Sequence, residues 1–335
     1  MNVRNFRKIE WWIPLCAIIL CGIGLVALFS ASYDSGLDEF KKQAMWMGIS
    51  IGIMVVVMLI DYKILIKLSP ILYGIAILSV IAVLFTKPIS GARSWFVIGN
   101  DLFSFQPAET AKVFVILFLA YVISTIQKNG RYDINRIPKL AIILLTIAVP
   151  VLLIIIEPDY GTATAYIVAF LVMIFVAGID KKYIISAIAV VIIAVPLIYN
   201  FVLPQHAKSR IDTFLHPESD PKGAGYNILQ SKLAIGAGEV TGMGVLNGNQ
   251  TQLGYLYPKT TDFIFSVIGE EMGFVVACSV ILLNVVIITK SIQVAKGIKD
   301  DAGSYVAAGI AGIFLFHTLE NIGMTMGLLP ITGVP

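Results

Sequence analysis

Nine apolar runs, each long enough to cross a hydrocarbon core, alternate with polar turns, and this rhythm predicts an all-α polytopic membrane protein. The first run carries no charge over residues 11–33; the second and third are predicted at 43–60 and 68–86 and are joined by the polar turn 61–67. A stretch with Gly, Trp and Phe, 87–106, leads to a fourth span at 107–127. Spans five and six, 140–156 and 160–179, flank Glu157, Pro158 and Asp159, and span seven covers 183–203. Over 204–261 the apolar pattern breaks into a long loop of mixed polarity with eight glycines. Loops of that length are functional or disordered, and its aromatic and apolar content favours function. Spans eight and nine follow at 262–289 and 302–321, and the final GLLPITGVP has the look of a re-entrant or loop segment.

With 58% hydrophobic and 13% charged residues, the 335-residue chain has too little polar surface to cover a water-soluble globule, so it is predicted as one transmembrane domain over 1–335 with the loop 204–261 inside it. Arg4, Arg7 and Lys8 before the first run imitate a secretory signal, but the run is too long for a cleaved segment. Cys16, Cys21 and Cys278 all lie in apolar runs, which gives neither a disulfide framework nor a zinc spacing. A net charge of +3 and three scattered histidines give no indication of nucleic acid. Lys and Arg decide the orientation: the side shared with the N-terminus holds fourteen, against four in the short loops of the other side. The N-terminus is therefore predicted to be cytoplasmic. The stretch before Glu109, the 157–159 turn, the long loop, Asp262 and the chain's end then all face outward.

Charges inside apolar runs are costly and default to functional hypotheses. Asp262 stands at the mouth of span eight, with Glu270 and Glu271 roughly two turns inside it. A helix starting there would align Asp262 with Ser266, Gly269 and Gly273 on one small-residue face. Such a face is a cavity wall or a packing seam. Glu270 would lie about 80° round the helix and Glu271 nearly opposite, so the two acids are expected to have different partners. Thr261 or Asp262 could equally be a helix N-cap, and both readings stay open at this level. Glu109 and Lys112 at i, i+3 form either a local ion pair or a site where Lys112 offers its cation to an anionic headgroup. The glycine-rich GAGEVTGMG, 236–244, lacks the preceding strand and the Lys-Ser/Thr of a phosphate loop, which points to tight turns or re-entrant backbone.

Six outward-facing segments, in order, give the chain its resemblance: GARSW (91–95), FQPAETAK (105–112), EPDYGTA (157–163), FLHPESDPKGAGYNILQSKLAIGAG (214–238), TDFIFSVIGEEMGF (261–274) and NIGMTMGLLPITGVP (321–335). Together they resemble the SEDS family (shape, elongation, division and sporulation; RodA, FtsW and SpoVE), with the NIGM and FLHPESDP forms leaning to the RodA branch. Departures are Leu256, Tyr257, Pro258, Lys259 and Thr260 where the family usually reads Leu-Pro-Glu-x-His, and Asn249 in place of a Thr. The family continues past the final Val-Pro into a tenth span, so a C-terminally truncated chain is expected.

The resemblance implies a peptidoglycan glycosyltransferase: an inverting lipid II polymerase on the outer face of the bacterial cytoplasmic membrane, in cell elongation and shape, with a class B penicillin-binding protein as partner. It assigns the catalytic position to Asp262. Substrate-binding or site-supporting roles are expected for Glu109, Lys112, Arg93, Arg210, Ser231, Lys232, Gln250, Glu270 and Glu271. A sugar hydroxyl needs a positioned base, whereas a pyrophosphate leaving group needs little protonation, so one carboxylate suffices. Lys112, Arg93, Arg210 or a divalent cation, Mg2+ or Mn2+, could stabilise the developing pyrophosphate charge, and apolar grooves would hold the lipid tails. Two rivals remain: a lipid II flippase, disfavoured by short, merely basic cytoplasmic loops, and a non-catalytic membrane scaffold of the cell-wall synthase.

Overall fold

The computed structural model describes residues 9–87, 93–98, 103–201 and 205–332. Among them are nine helices long and apolar enough to span a membrane: α1 (Trp12–Ala31), α2 (Asp38–Leu59), α3 (Tyr62–Val83), α4 (Pro107–Gln127), α5 (Ile137–Ile156), α6 (Tyr160–Ala177), α7 (Lys181–Phe201), α11 (Ile264–Gly297) and α12 (Asp301–Thr325). The third begins six residues before the expected 68, inside what looks like a polar turn. The Asp61 carboxylate caps it by accepting from the Lys63 backbone N–H at 2.9 Å, so Lys63 and Lys67 ride on its first turns. Asp38 and Glu39 start α2 early in the same spirit, as acids in a first turn complement the helix dipole. The long loop is not irregular: it carries α8 (Gln205–Leu215), a 3-10 turn (Pro217–Ser219), α9 (Ala224–Ala237) and the single turn α10 (Asn249–Gln252). A two-stranded antiparallel hairpin, β1 (Phe96–Ile98) with β2 (Phe103–Phe105), pairs Val97 with Ser104 just before α4.

The chain divides into two compact units, and the division falls within α7, α11 and α12. One unit comprises Ile60–Ala189 and Ile288–Phe316. Here α4 packs against α3, α5 and α6, burying Ala108, Ala111, Val115, Leu119 and Ile123 against Ile143 and Ile154 of α5, Tyr166 and Met173 of α6 and Tyr305 of α12. Lipid tails are as apolar as these side chains, so close packing rather than exclusion from water holds such helices together. Small residues permit it: a Cβ added at Gly309 would stand 2.8 Å from both Ile116 Cγ2 and Met173 Sδ. At the far end of α4 the Gln127 amide donates to the Arg131 and Ala177 carbonyls, at 2.8 and 2.9 Å, and accepts from the Tyr305 hydroxyl.

The other unit takes the described parts of Met1–Leu59, Val190–Ile287 and His317–Pro335. Its core is Ala27, Ala31, Leu256, Phe263, Val267 and Ile268. The decisive feature is a break in α11, where Gly273 adopts φ 78°, ψ −178°. An unbroken helix would bond the N–H groups of Phe274 and Val275 to the carbonyls of Glu270 and Glu271. Here residues 239–244 lie alongside and take all four groups. Phe274 and Val275 donate to the Glu239 and Val240 carbonyls at 2.9 and 3.3 Å, while Met243 and Gly244 donate to the Glu270 and Glu271 carbonyls at 2.9 Å each. Gly273 therefore leaves the small-residue face expected for Asp262, Ser266 and Gly269. The contact admits no side chain, because a Cβ at Gly242 (φ 82°) would come within 2.2 Å of the Glu271 carbonyl oxygen, and one at Gly273 within 2.2 Å of the Gly242 nitrogen.

Gly242→Ala or Gly273→Ala is expected to cost about 1–3 kcal/mol from backbone strain alone, with the lost hydrogen bonds in addition. Gly236→Ala, in α9 with open space around it, should be neutral or slightly stabilising. Thermal unfolding of the purified protein in detergent checks the contrast; equal midpoints for all three variants would contradict it.

Candidate active site

Asp262 occupies a tight turn rather than the first turn of a helix. The Phe263 N–H donates to the Pro258 carbonyl at 3.3 Å, and α11 begins only at Ile264. Phe263, 1% exposed, pins the turn into the core, while Asp262 remains half-buried. Among the described residues no backbone N–H is hydrogen-bonded to the Asp262 carboxylate, so the N-cap reading finds no support in the geometry. Asn321 of α12 donates its amide to the Asp262 carbonyl at 3.3 Å. Burial pushes the Asp262 carboxyl above the usual range; a hydrogen bond from the Thr261 side chain and the nearby Arg210 charge hold it down in part. Arg210, exposed on α8, donates to the Thr332 carbonyl at 3.1 Å, and the Thr332 hydroxyl donates to Glu320 at 2.6 Å. A carboxylate, a cation and an anchored turn thus share one neighbourhood.

The other candidates in this unit support that turn. Glu270 is fully buried and accepts three hydrogen bonds, from the Gln250 N–H (2.6 Å), the Thr251 N–H (3.0 Å) and the Thr251 hydroxyl (2.7 Å). Glu271 Oε1 instead accepts from the Ser30 hydroxyl (2.7 Å) and the Gln252 amide (2.8 Å), while its Oε2 is buried with no hydrogen bond. The two acids accordingly have different partners: Glu270 holds Gln250 and Thr251 of α10, and Glu271 ties Gln252 of the same turn to Ser30 at the end of α1. Gln250 contributes its backbone to Glu270, and its side-chain oxygen is buried and unpartnered. Ser231 is fully buried; its hydroxyl donates to the Thr325 carbonyl at 2.6 Å and stands 2.6 Å from the Ser266 hydroxyl, joining α9 to α11 and α12. Lys232 is exposed beside Gly327.

In the unit built on α4, Lys112 and Glu109 pair at 2.7 Å. The cation is the hidden member, with its side chain 4% exposed against 45% for Glu109. Arg93 is exposed and donates to the Leu84 carbonyl at 3.3 Å. Around this pair the structure assembles groups that sequence reasoning passed over. Asp159 caps α6 by accepting from the Thr162 N–H at 3.0 Å, and it also accepts from the Gln106 amide at 2.7 Å. Tyr166 donates to the Ala108 carbonyl at 2.6 Å. Glu157 is completely buried, and neither carboxylate oxygen has a hydrogen bond of good geometry. Burial, then the Asp159 charge, push its carboxyl up to about 8, with Ser94 opposing weakly. An acidic Glu-Pro-Asp between two apolar runs was the available signal, but it resembles an ordinary exposed turn. Among the described residues no three His, Cys, Asp or Glu side chains converge in a group able to hold a metal ion.

Comparison with known proteins gives a consistent result. Residues 10–335 match the FtsW/RodA/SpoVE family of cell cycle proteins. Peptidoglycan glycosyltransferase MrdB of Escherichia coli strain K12 is 35% identical over 327 residues, covering 96% of this chain and 86% of the relative. Peptidoglycan glycosyltransferase RodA of Treponema pallidum is 29% identical, covering all of this chain and 93% of its own. A solved peptidoglycan synthase complex that coordinates polymerization and crosslinking contains a chain with TM-score 0.80 and 25% identity, covering 97% of this chain and 89% of that one.

The Glu109–Lys112 geometry makes a prediction. In a double-mutant cycle of Glu109→Gln and Lys112→Met, the double change should cost less than the sum of the singles, by about 0.5–3 kcal/mol, toward the low end because Glu109 is half exposed and screened. Additive losses in thermal unfolding would show that the pair is not coupled.

Proposed function

The chain belongs to the FtsW/RodA/SpoVE family of cell cycle proteins, and from that premise we infer that this multi-pass membrane protein is a peptidoglycan glycosyltransferase that polymerises lipid II with Asp262 as its general base. The half-buried carboxylate of Asp262, raised in proton affinity beside the Arg210 cation, is the observation that supports this reading best. The acceptor sugar hydroxyl gives its proton to Asp262 as its oxygen attacks the anomeric carbon of the donor. The bond to the pyrophosphate breaks, the leaving group keeps the electron pair, and the configuration inverts in one displacement. Partial burial makes Asp262 a stronger base than a free carboxylate. Arg210 meets the developing negative charge of the leaving group. Glu270 and Glu271 act at a distance, by fixing the chain that precedes the Asp262 turn.

The charge bias of the loops supports a cytoplasmic N-terminus, and with it an active site on the outer face of the cytoplasmic membrane. The similarity to a chain of a synthase complex that couples polymerization to crosslinking supports a class B penicillin-binding protein as partner.

Purified protein given labelled lipid II is expected to yield polymer. Transbilayer movement of lipid II without polymer would make the protein a flippase, and neither activity would leave it a scaffold; either result contradicts the reading. The rate should fall as pH drops through the raised pKa of Asp262, since the base acts deprotonated. Arg210→Met removes a charge that holds this pKa down, so the acid limb should move to higher pH. An unmoved limb would contradict the pairing of base and cation.

A further inference from the structure

Glu157 is an acid for which the mechanism has no use, and its surroundings are unsuited to an anion. It is the residue after the last turn of α5, where the helix dipole presents partial negative charge. It is 0% exposed, and neither oxygen has a hydrogen-bond partner among the described residues. Two residues on, Asp159 accepts from the Gln106 amide and from the Thr162 N–H at the cap of α6. Among the described residues the charged or titratable groups around it are few. From α4 come Glu109 and Lys112, which pair with each other; from α6 come Tyr160 and Tyr166; from the segment before β1 comes Ser94, buried and likewise without a partner. Arg93 is exposed and turned to the Leu84 carbonyl. The Tyr166 hydroxyl lies within electrostatic reach of Glu109, Glu157 and Asp159, so these acids share one neighbourhood. An isolated buried carboxylate is held charged only by compensating partners, and otherwise takes up a proton.

We propose that Glu157 is a positioning residue that works as an uncharged carboxylic acid, allowing the 157–159 turn to pack against the start of α4, and that its ionisation loosens this end of the unit. Neutral, it adds no second charge beside Asp159. Ionised, it places a second anion beside Asp159 in a buried position, opposed only by the neighbouring Ser94 hydroxyl. The direction of its titration agrees, because burial raises the carboxyl to about 8. A group whose folded pKa is raised contributes stability that is complete below the unfolded value and is lost as pH rises through the folded one.

The proposal rests on the glycosyltransferase reading only for its activity arm, so two measurements are made on the full chain in detergent. Wild-type thermal midpoints should fall between pH 5 and pH 9 by several degrees more than those of Glu157→Gln, whose amide imitates the neutral acid. In lipid II polymerisation, Glu157→Gln should keep wild-type yield at pH 7 within about twofold and lose less of it at pH 9, whereas Glu157→Ala, which leaves a void, should be less stable at every pH. Superimposable midpoint profiles for wild type and Glu157→Gln would overturn the proposal whether or not either protein polymerises lipid II. So would a well-folded Glu157→Gln protein with polymerisation reduced tenfold or more at pH 7, because the charge would then be required.

Discussion

A backbone amide in an apolar surrounding must find a partner, and in this protein that requirement is met at one place by chain far removed in sequence. The break at Gly273 frees two donors and two acceptors of α11, and residues 239–244 take all four. The turn bearing Asp262 depends on this repair. The segment of α11 before the break carries Glu270 and Glu271, whose side chains hold α10 and the end of α1. Without the inserted stretch of chain that segment would be a short helix with open bonds, and the Asp262 turn would lose one of its supports.

The buried charges of the protein are handled in distinct ways. Glu270 is surrounded by donors, and Lys112 is hidden behind a half-exposed acid. Asp262 is left only half-buried, near a cation and without a backbone donor aimed at its carboxylate. That difference separates a carboxylate used for structure from one available to accept a proton. Glu270 accepts three hydrogen bonds from Gln250 and Thr251, and those bonds hold the loop in place.

Much of the fold was legible in the sequence, because a bilayer demands about twenty apolar residues per span and leaves little else to choose. The helices of the long loop were not legible: α8 and α9 mix polar and apolar residues without a long run, and they depend on tertiary contacts such as Ser231 with Ser266 and Thr325. Nor could periodicity find the break, since Gly273 lies inside an uninterrupted apolar run and a glycine there is compatible with an ordinary packing seam. The glycines of GAGEVTGMG did signal re-entrant backbone, and the structure shows what they approach. Asp262 stood out as an acid at the edge of an apolar run. Glu157 stands in the same kind of position and was passed over, because only packing from Ser94 and α6 reveals that it is buried.

The central claim is that Asp262 takes the proton of the acceptor hydroxyl. Its most direct test is lipid II polymerisation by purified Asp262→Asn protein whose unfolding midpoint matches the wild type. The amide keeps the size and much of the hydrogen bonding of the carboxylate but cannot accept a proton near neutral pH. Loss of a positioned base should lower the polymerisation rate by about 10²-fold or more, whereas near-normal polymer from the folded variant would contradict the account and leave Asp262 a structural residue of its turn.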